Sequence, residues 1–433
     1  MTLKNKLPLH TSFVIIGAGA AGLTAAQKLL EAGYQQITIL EAASQAGGKC
    51  RSFQVDNLSF DLGAIIGVKS MYQPLLTRSK KYGLATQAMR GFYIDPINGD
   101  IARMPESQAS IRLYWEGLKY ASLLSGKFRN NTAETVHLNS ELCLSLSELA
   151  ERYKLTNLEL QMRPILAGMG YGFAEALPAA YTTQMIPLPY IVRSAIQDQA
   201  FFWPAGTQKI WQCEAAELEE IGVNILYNAR VQKIMRGDVV RIWLENSAEP
   251  LSCDELIVAC DPRLVQLDAS AAEQGIFSKI QNVDYRVLVT RIEGLPKANA
   301  PSAFCLQDNL TQRRAGHPMM LVQKYPEQNI YLSYAFGTGL SQQEIKDRLA
   351  TDVEAIGGRV TEYLHYQEWR NYFPHFAAAS IQEGVFAALQ QLQGQHHTSF
   401  VGEWTTVAML PHIITHTEST IQKLLAGYPF SVN

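Results

Sequence analysis

The sequence is short of charge. Asp, Glu, Lys and Arg make up 18% of its 433 residues, against about a quarter in an average soluble domain. The two signs nearly cancel, with 37 Lys+Arg against 40 Asp+Glu and a formal net charge of −3. That balance excludes the broad basic face of a nucleic-acid binder. No uninterrupted apolar stretch reaches the ~18 residues of a spanning helix, which argues against a membrane span. Cysteine is scarce and scattered: Cys50, Cys143, Cys213, Cys253, Cys260 and Cys305 include no close pair. Neither a zinc site nor a disulfide framework has that spacing, and free thiols in a reducing compartment are expected. Repeats, low-complexity runs and long polar linkers are also missing.

What is present is apolar. Hydrophobic residues reach 47%, and 19 Tyr, 16 Phe and 6 Trp are spread along the chain. This predicts an ordered protein with a large core and room for an apolar cleft. The length suits two or three domains. Near the start, Lys4 and Lys6 precede the apolar run Phe13–Ala26, which superficially resembles a secretion signal. Three glycines interrupt that run where chemistry needs them, so it is read as mature, cytoplasmic protein. Oligomeric state is left open.

Phe13-Val14-Ile15-Ile16 reads as a buried parallel strand ended by Gly17. The Ala- and Leu-rich segment Ala20–Ala32 favours a helix, with Gly33 as its stop. Ile37-Thr38-Ile39-Leu40 is a second buried strand, closed by Glu41. Further strands are expected at Gly222–Tyr227, Val239–Glu245, Leu256–Cys260 and Ser399–Glu403. A mostly helical region is expected from about 107 to 165, and a terminal helix over Thr417–Leu425. The segments between the strand-rich parts read as more helical and aromatic.

Gly17-Ala18-Gly19-Ala20-Ala21-Gly22 is a G-x-G-x-x-G element between strand and helix, and Glu41 follows Gly17 by 24 residues. Gly17 allows the tight turn, Gly19 lets the backbone approach a pyrophosphate, and Gly22 permits close helix–strand packing. Unpaired N–H groups at the helix start face the phosphates. Glu41 would accept from ribose hydroxyls and disfavour a 2′-phosphate. The loop Glu41–Lys49, with Gly47, Gly48 and a cation, would wrap the pyrophosphate and ribityl chain of a long cofactor.

On Gly17–Ala26, Leu40-Glu41-Ala42 and Gly47-Gly48-Lys49, the sequence resembles the flavin amine oxidase and phytoene desaturase superfamily. The resemblance implies FAD in a Rossmann-type α/β domain, with an inserted α+β substrate domain. The FAD domain would be built from residues 1–68, 206–265 and 390–433; residues 69–205 and 266–389 would form the substrate domain. Cofactor contacts would come from Gly17, Gly19, Ala21, Gly22, Glu41, Ala42, Gly48, Lys49, Ala64 and Ile65. Val231 would meet adenine through its backbone, and Gly402 and Glu403 the phosphate–ribityl region. A second G-x-G-x-x-G is missing, which leaves oxidases, desaturases and redox-neutral isomerases. No metal is expected: His412 and His416 lie one helical turn apart without a carboxylate–histidine motif.

A narrower resemblance runs through both regions. Gly47–Ser52, Gly63–Val68, Gly170–Phe173, Pro178–Tyr181, Gly206–Gln208 and Tyr372–His375 are similar to bacterial polyenoic fatty acid isomerases. That family implies hydride removal from an allylic carbon to flavin N5 and its return to another carbon. Arg90 aligns with the family's arginine near the substrate carboxylate, and a guanidinium suits bidentate carboxylate capture. By residue type alone, Arg90 could equally be a surface or ion-paired arginine. Tyr171 and Phe173 could line a substrate channel or be plain core. Ala195 stands where the isomerases carry an aromatic at the tunnel mouth. Against amine oxidases, the Tyr285–Ile292 strand offers Arg286 and no lysine, and Met409–His412 lacks a second cage aromatic. The expected partner is a hydrophobic acid, with an amine oxidase or polyene desaturase as the alternative. A non-catalytic flavoprotein is a third option.

Overall fold

The computed structural model describes residues 7–64, 66–94, 101–103, 111–129, 131–187, 200–295, 300–407 and 409–427. Ile65 and Ala195 lie outside the described residues.

Five strands form a parallel sheet in the spatial order Asn224–Leu226, Ile37–Leu40, Phe13–Ile16, Glu255–Val258 and Thr398–Phe400. Phe13–Ile16 and Glu255–Val258 are buried throughout, as expected of strands covered on both faces. Segments from the beginning, middle and end of the chain thus meet in one sheet. The helix Ala20–Glu31 covers one face and packs against Leu410–Ala426. A smaller four-stranded sheet, with Val231–Arg236 and Val240–Leu244 at its centre, flanks this layer.

The second large element is a seven-stranded sheet in the order Arg359–Phe376, Ile280–Glu293, Ile330–Phe336, Met320–Gln323, Ser302–Leu306, Arg90–Ile94 and Ile101–Arg103. Neighbouring strands are antiparallel except Arg90–Ile94 beside Ser302–Leu306. The intervening segments, read as more helical and aromatic than the rest, thus also supply the larger sheet. Ile330–Phe336 is buried at every position, so its pattern lacks the alternation that marks a half-exposed strand. Ile280–Glu293 and Arg359–Phe376 pair over most of their length with register shifts, which break that alternation too.

The region expected to be helical contains Ile111–Ser125, Leu146–Tyr153 and Thr156–Gly168, with two short 3-10 turns, Val136–Leu138 and Ser140–Cys143, between the first two. Leu146–Tyr153 opens with a capping box, in which Ser145 and Glu148 satisfy each other's backbone N–H groups. Thr156–Gly168 carries Pro164 inside it. The terminal helix begins seven residues before its expected start, at Leu410, because Pro411 is accommodated in its first turn.

Candidate functional site

A cavity of about 600 Å³ runs from the carboxyl ends of the parallel strands to the seven-stranded sheet. Open α/β sheets bind ligands at that end of their strands. Gly17, Gly19, Ala21, Glu41, Ala42, Gly48, Lys49, Ala64, Val231, Gly402 and Glu403 all line it. Arg90 lines it as well, and keeps substantial exposure. Gly22 does not; it packs where a Cβ would run into the Gly17 carbonyl, the helix–strand role expected of it. Among the cofactor candidates, only Ile65 lies outside the described residues.

The local geometry fits a dinucleotide. The helix Ala20–Glu31 starts at Gly19 with no side-chain cap, so its first N–H groups remain available at the cavity wall. Gly48 has φ +53°, and a Cβ on it would come within 3.3 Å of the Gly19 Cα, so the two backbones need glycine to meet. Glu41 Oε2 accepts from the Ala18 N–H at 2.7 Å, and Oε1 accepts from the Ala43 N–H at 2.8 Å. Each carboxylate oxygen keeps a lone pair for a ribose hydroxyl. Val231 begins the Val231–Arg236 strand and lines the cavity.

Lys49, offered by the sequence as a phosphate contact, reaches across the cavity wall to Glu403. Burial pushes the Glu403 carboxyl up, and the Lys49 ammonium opposes that shift. Lys49 Nζ also stands 5.5 Å over the Tyr372 ring. Asp261 lines the cavity but is occupied by Arg263, which donates at 3.0 and 2.6 Å.

Towards the large sheet the lining becomes apolar. Met71, Met89, Met169, Met185, Met320 and Met409 contribute, joined by Ile66, Ile165 and Ile186. Tyr72, Tyr171, Tyr372, Phe373 and Trp369 supply an aromatic wall. Tyr171 packs edge-on against Phe373 at 4.7 Å, and burial raises the Tyr171 and Tyr372 phenols well above the ordinary range. Phe173 is core instead: it packs on Phe336 at 4.8 Å and does not border the cavity. The methionine wall left no pattern in the sequence, because its members come from six separate segments.

A second feature escaped sequence reasoning. Lys324 and Asp61 form a fully buried ion pair, 2.7 Å apart. Lys324 also donates to the Ser59 carbonyl at 2.7 Å, while Asp61 Oδ1 accepts from Ser52 Oγ and the Thr207 N–H. The pair ties the Leu58–Asp61 strand to the large sheet behind the cavity. Arg286, on the Ile280–Glu293 strand, is buried and engaged with Asp284 and Glu368. His412 and His416 are half-buried, and burial lowers both, His416 to about 4.

The sequence pattern of the flavin containing amine oxidoreductase family matches residues 20–408. The FAD-dependent oxidoreductase dpasF of Apiospora sacchari is 24% identical over 93% of this chain and 90% of its own length. Among solved structures, the CLA-producing fatty acid isomerase from P. acnes superposes with TM-score 0.87 at 24% identity, covering 96% of this chain and 99% of that one. Putrescine oxidase superposes with TM-score 0.71 at 14% identity, over 96% of this chain and 99% of that one. These structural likenesses are of fold. Among the described residues, no helix is long and apolar enough to cross a membrane. With a dinucleotide cradle of this geometry and a family match over most of its length, the chain belongs to the flavin-containing amine oxidoreductase family and is an FAD-dependent enzyme.

Proposed function

We propose that the enzyme is a double-bond isomerase of unsaturated fatty acids or similar lipid-like acids. One observation carries this reading. Where the cavity is walled by the large sheet and its helices, the described lining residues hold a single charge, Arg90. The other charged lining residues stand on segments around the nucleotide cradle. Among the described residues Arg90 makes no ion pair, and a guanidinium lining the cavity suits a carboxylate. Among the described residues, none on that side offers a carboxylate to an ammonium substrate.

FAD, held by Glu41, the glycine turn and the Gly402-Glu403 segment, supplies hydride acceptance and return when bound. The protein's part is placement. Arg90 fixes the acid end, and the methionine and aromatic walls hold the chain and keep water from the reacting carbons. Methionine is unbranched and polarisable, which suits a bent, polyunsaturated chain. The fold likeness with TM-score 0.87, to a protein called a fatty acid isomerase, supports the same reading.

A net oxidoreductase of the amine oxidase or polyene desaturase type is the second reading. The Tyr171–Tyr372–Phe373 wall favours it, since aromatic faces also receive amines and polyenes. The two separate in an anaerobic incubation with linoleic acid, following conjugated-diene absorbance and the flavin band. Diene formed with the flavin oxidised at the end supports the isomerase. A bleached flavin without diene overturns it in favour of the oxidoreductase.

A further inference from the structure

The helix Ile111–Ser125 turns an apolar stripe away from the core. Ile111, Tyr114, Trp115 and Leu118 are 76%, 64%, 61% and 45% exposed. At 3.6 residues per turn this i, i+3, i+4, i+7 set spans an arc of about 100°. The opposite face is the buried one, marked by Tyr120. A helix that buries one face and exposes large aromatics on the other has an unmet apolar surface.

The charges beside the stripe decide what fits it. Arg112 and Lys119, seven residues apart, flank it on one side and are exposed. Among the described residues neither makes an ion pair, and Lys119 donates to the Tyr153 carbonyl at 3.1 Å. The one acid of the helix, Glu116, is turned inward, where it accepts from Asn157 Nδ2 at 2.7 Å and the Leu158 N–H at 2.8 Å. A chain with a net charge of −3 thus presents a local cationic edge along its exposed apolar stripe. Trp and Tyr at the centre, aliphatic residues beside them and cations on the flank match the headgroup boundary of an anionic bilayer.

We propose that this stripe is a docking surface for an anionic lipid membrane. Only one layer lies between it and the cavity. Tyr120 donates to the Ile186 carbonyl at 3.4 Å, and Ile186 lines the cavity. The helix Thr156–Gly168, packed against the same helix, contributes Pro164 and Ile165 to the lining. Docking there holds the apolar chamber beside the lipid phase.

The test is co-sedimentation of the holoenzyme with vesicles of phosphatidylcholine alone or with about 30 mol% phosphatidylglycerol, where each cation near the surface strengthens binding. Binding to the anionic vesicles is expected. Ile111→Ser with Trp115→Ser should weaken it by roughly tenfold or more, through lost apolar insertion. Arg112→Gln with Lys119→Gln should weaken it by about fivefold per cation, with flavin content and far-UV circular dichroism unchanged. No co-sedimentation, or variants that bind like the parent, overturns the proposal. So does a light-scattering mass that falls from dimer to monomer in the Ser variant while vesicle binding is unaltered, since a second copy then covers the stripe. The assay involves no turnover, so its failure is distinct from failure of the isomerase reading.

Discussion

Replacing Lys324 by Met tests whether the buried ion pair holds the two halves of the site together. Both partners are fully buried. Asp61 keeps two donors, Ser52 Oγ at 2.7 Å and the Thr207 N–H at 2.8 Å, both on Oδ1. Its Oδ2, bonded to Lys324 at 2.7 Å, is left bare. Removing one member of a buried pair costs about 3–5 kcal/mol, because the remaining charge stays desolvated. For a chain of 433 residues unfolding as one unit, the entropy of unfolding converts this to roughly 1 °C per kcal/mol, or about 3–5 °C. Flavin fluorescence released on heating reports both the cradle and the fold. The double variant Lys324→Met with Asp61→Asn removes the stranded charge while its side-chain carbonyl can still accept from Ser52 and Thr207. It should regain more than half of the loss. A single variant melting with the parent, or a double variant as weak as the single, would refute the reasoning.

Glu41→Ala should weaken FAD retention by roughly 10- to 100-fold, the worth of charged hydrogen bonds to the ribose, measured as flavin content after gel filtration. Unchanged retention would remove Glu41 from the cradle. Arg90→Ala should raise KM for free acids far more than for their methyl esters, and an equal effect on both would detach Arg90 from the carboxylate. For acid stability the sign follows from burial, which lowers His416 from 6.5 to about 4. The unfolded chain therefore binds the extra proton first, and stability present above pH 6.5 is lost as pH falls towards 4. His416→Asn should flatten the fall in melting temperature over that range, and a parallel curve would assign the loss to other groups.

The cradle was legible in the sequence because its parts are local. Gly17, Gly19, Gly22 and Glu41 lie within one strand–helix–strand unit, where residue type dictates backbone conformation and donor supply. The large sheet was hidden because strands such as Ile330–Phe336 are buried on both faces and show no alternation. Tyr171 and Phe173 are two residues apart and alike in type, yet one faces the cavity and the other packs on Phe336.

The sequence by itself therefore determined the glycine turn between strand and helix, the acidic residue that follows the second strand and the use of a long dinucleotide cofactor. These depend on conformational preferences and hydrogen-bond donors that act over a few residues. Tertiary structure alone decided which side chains share the chamber. It gathered methionines from six segments into one wall, left Arg90 as the single charge among the described residues of that wall, and joined Asp61 to Lys324 across 263 residues. Such neighbours are chosen by strand register and the burial of apolar area, which no short stretch of sequence encodes.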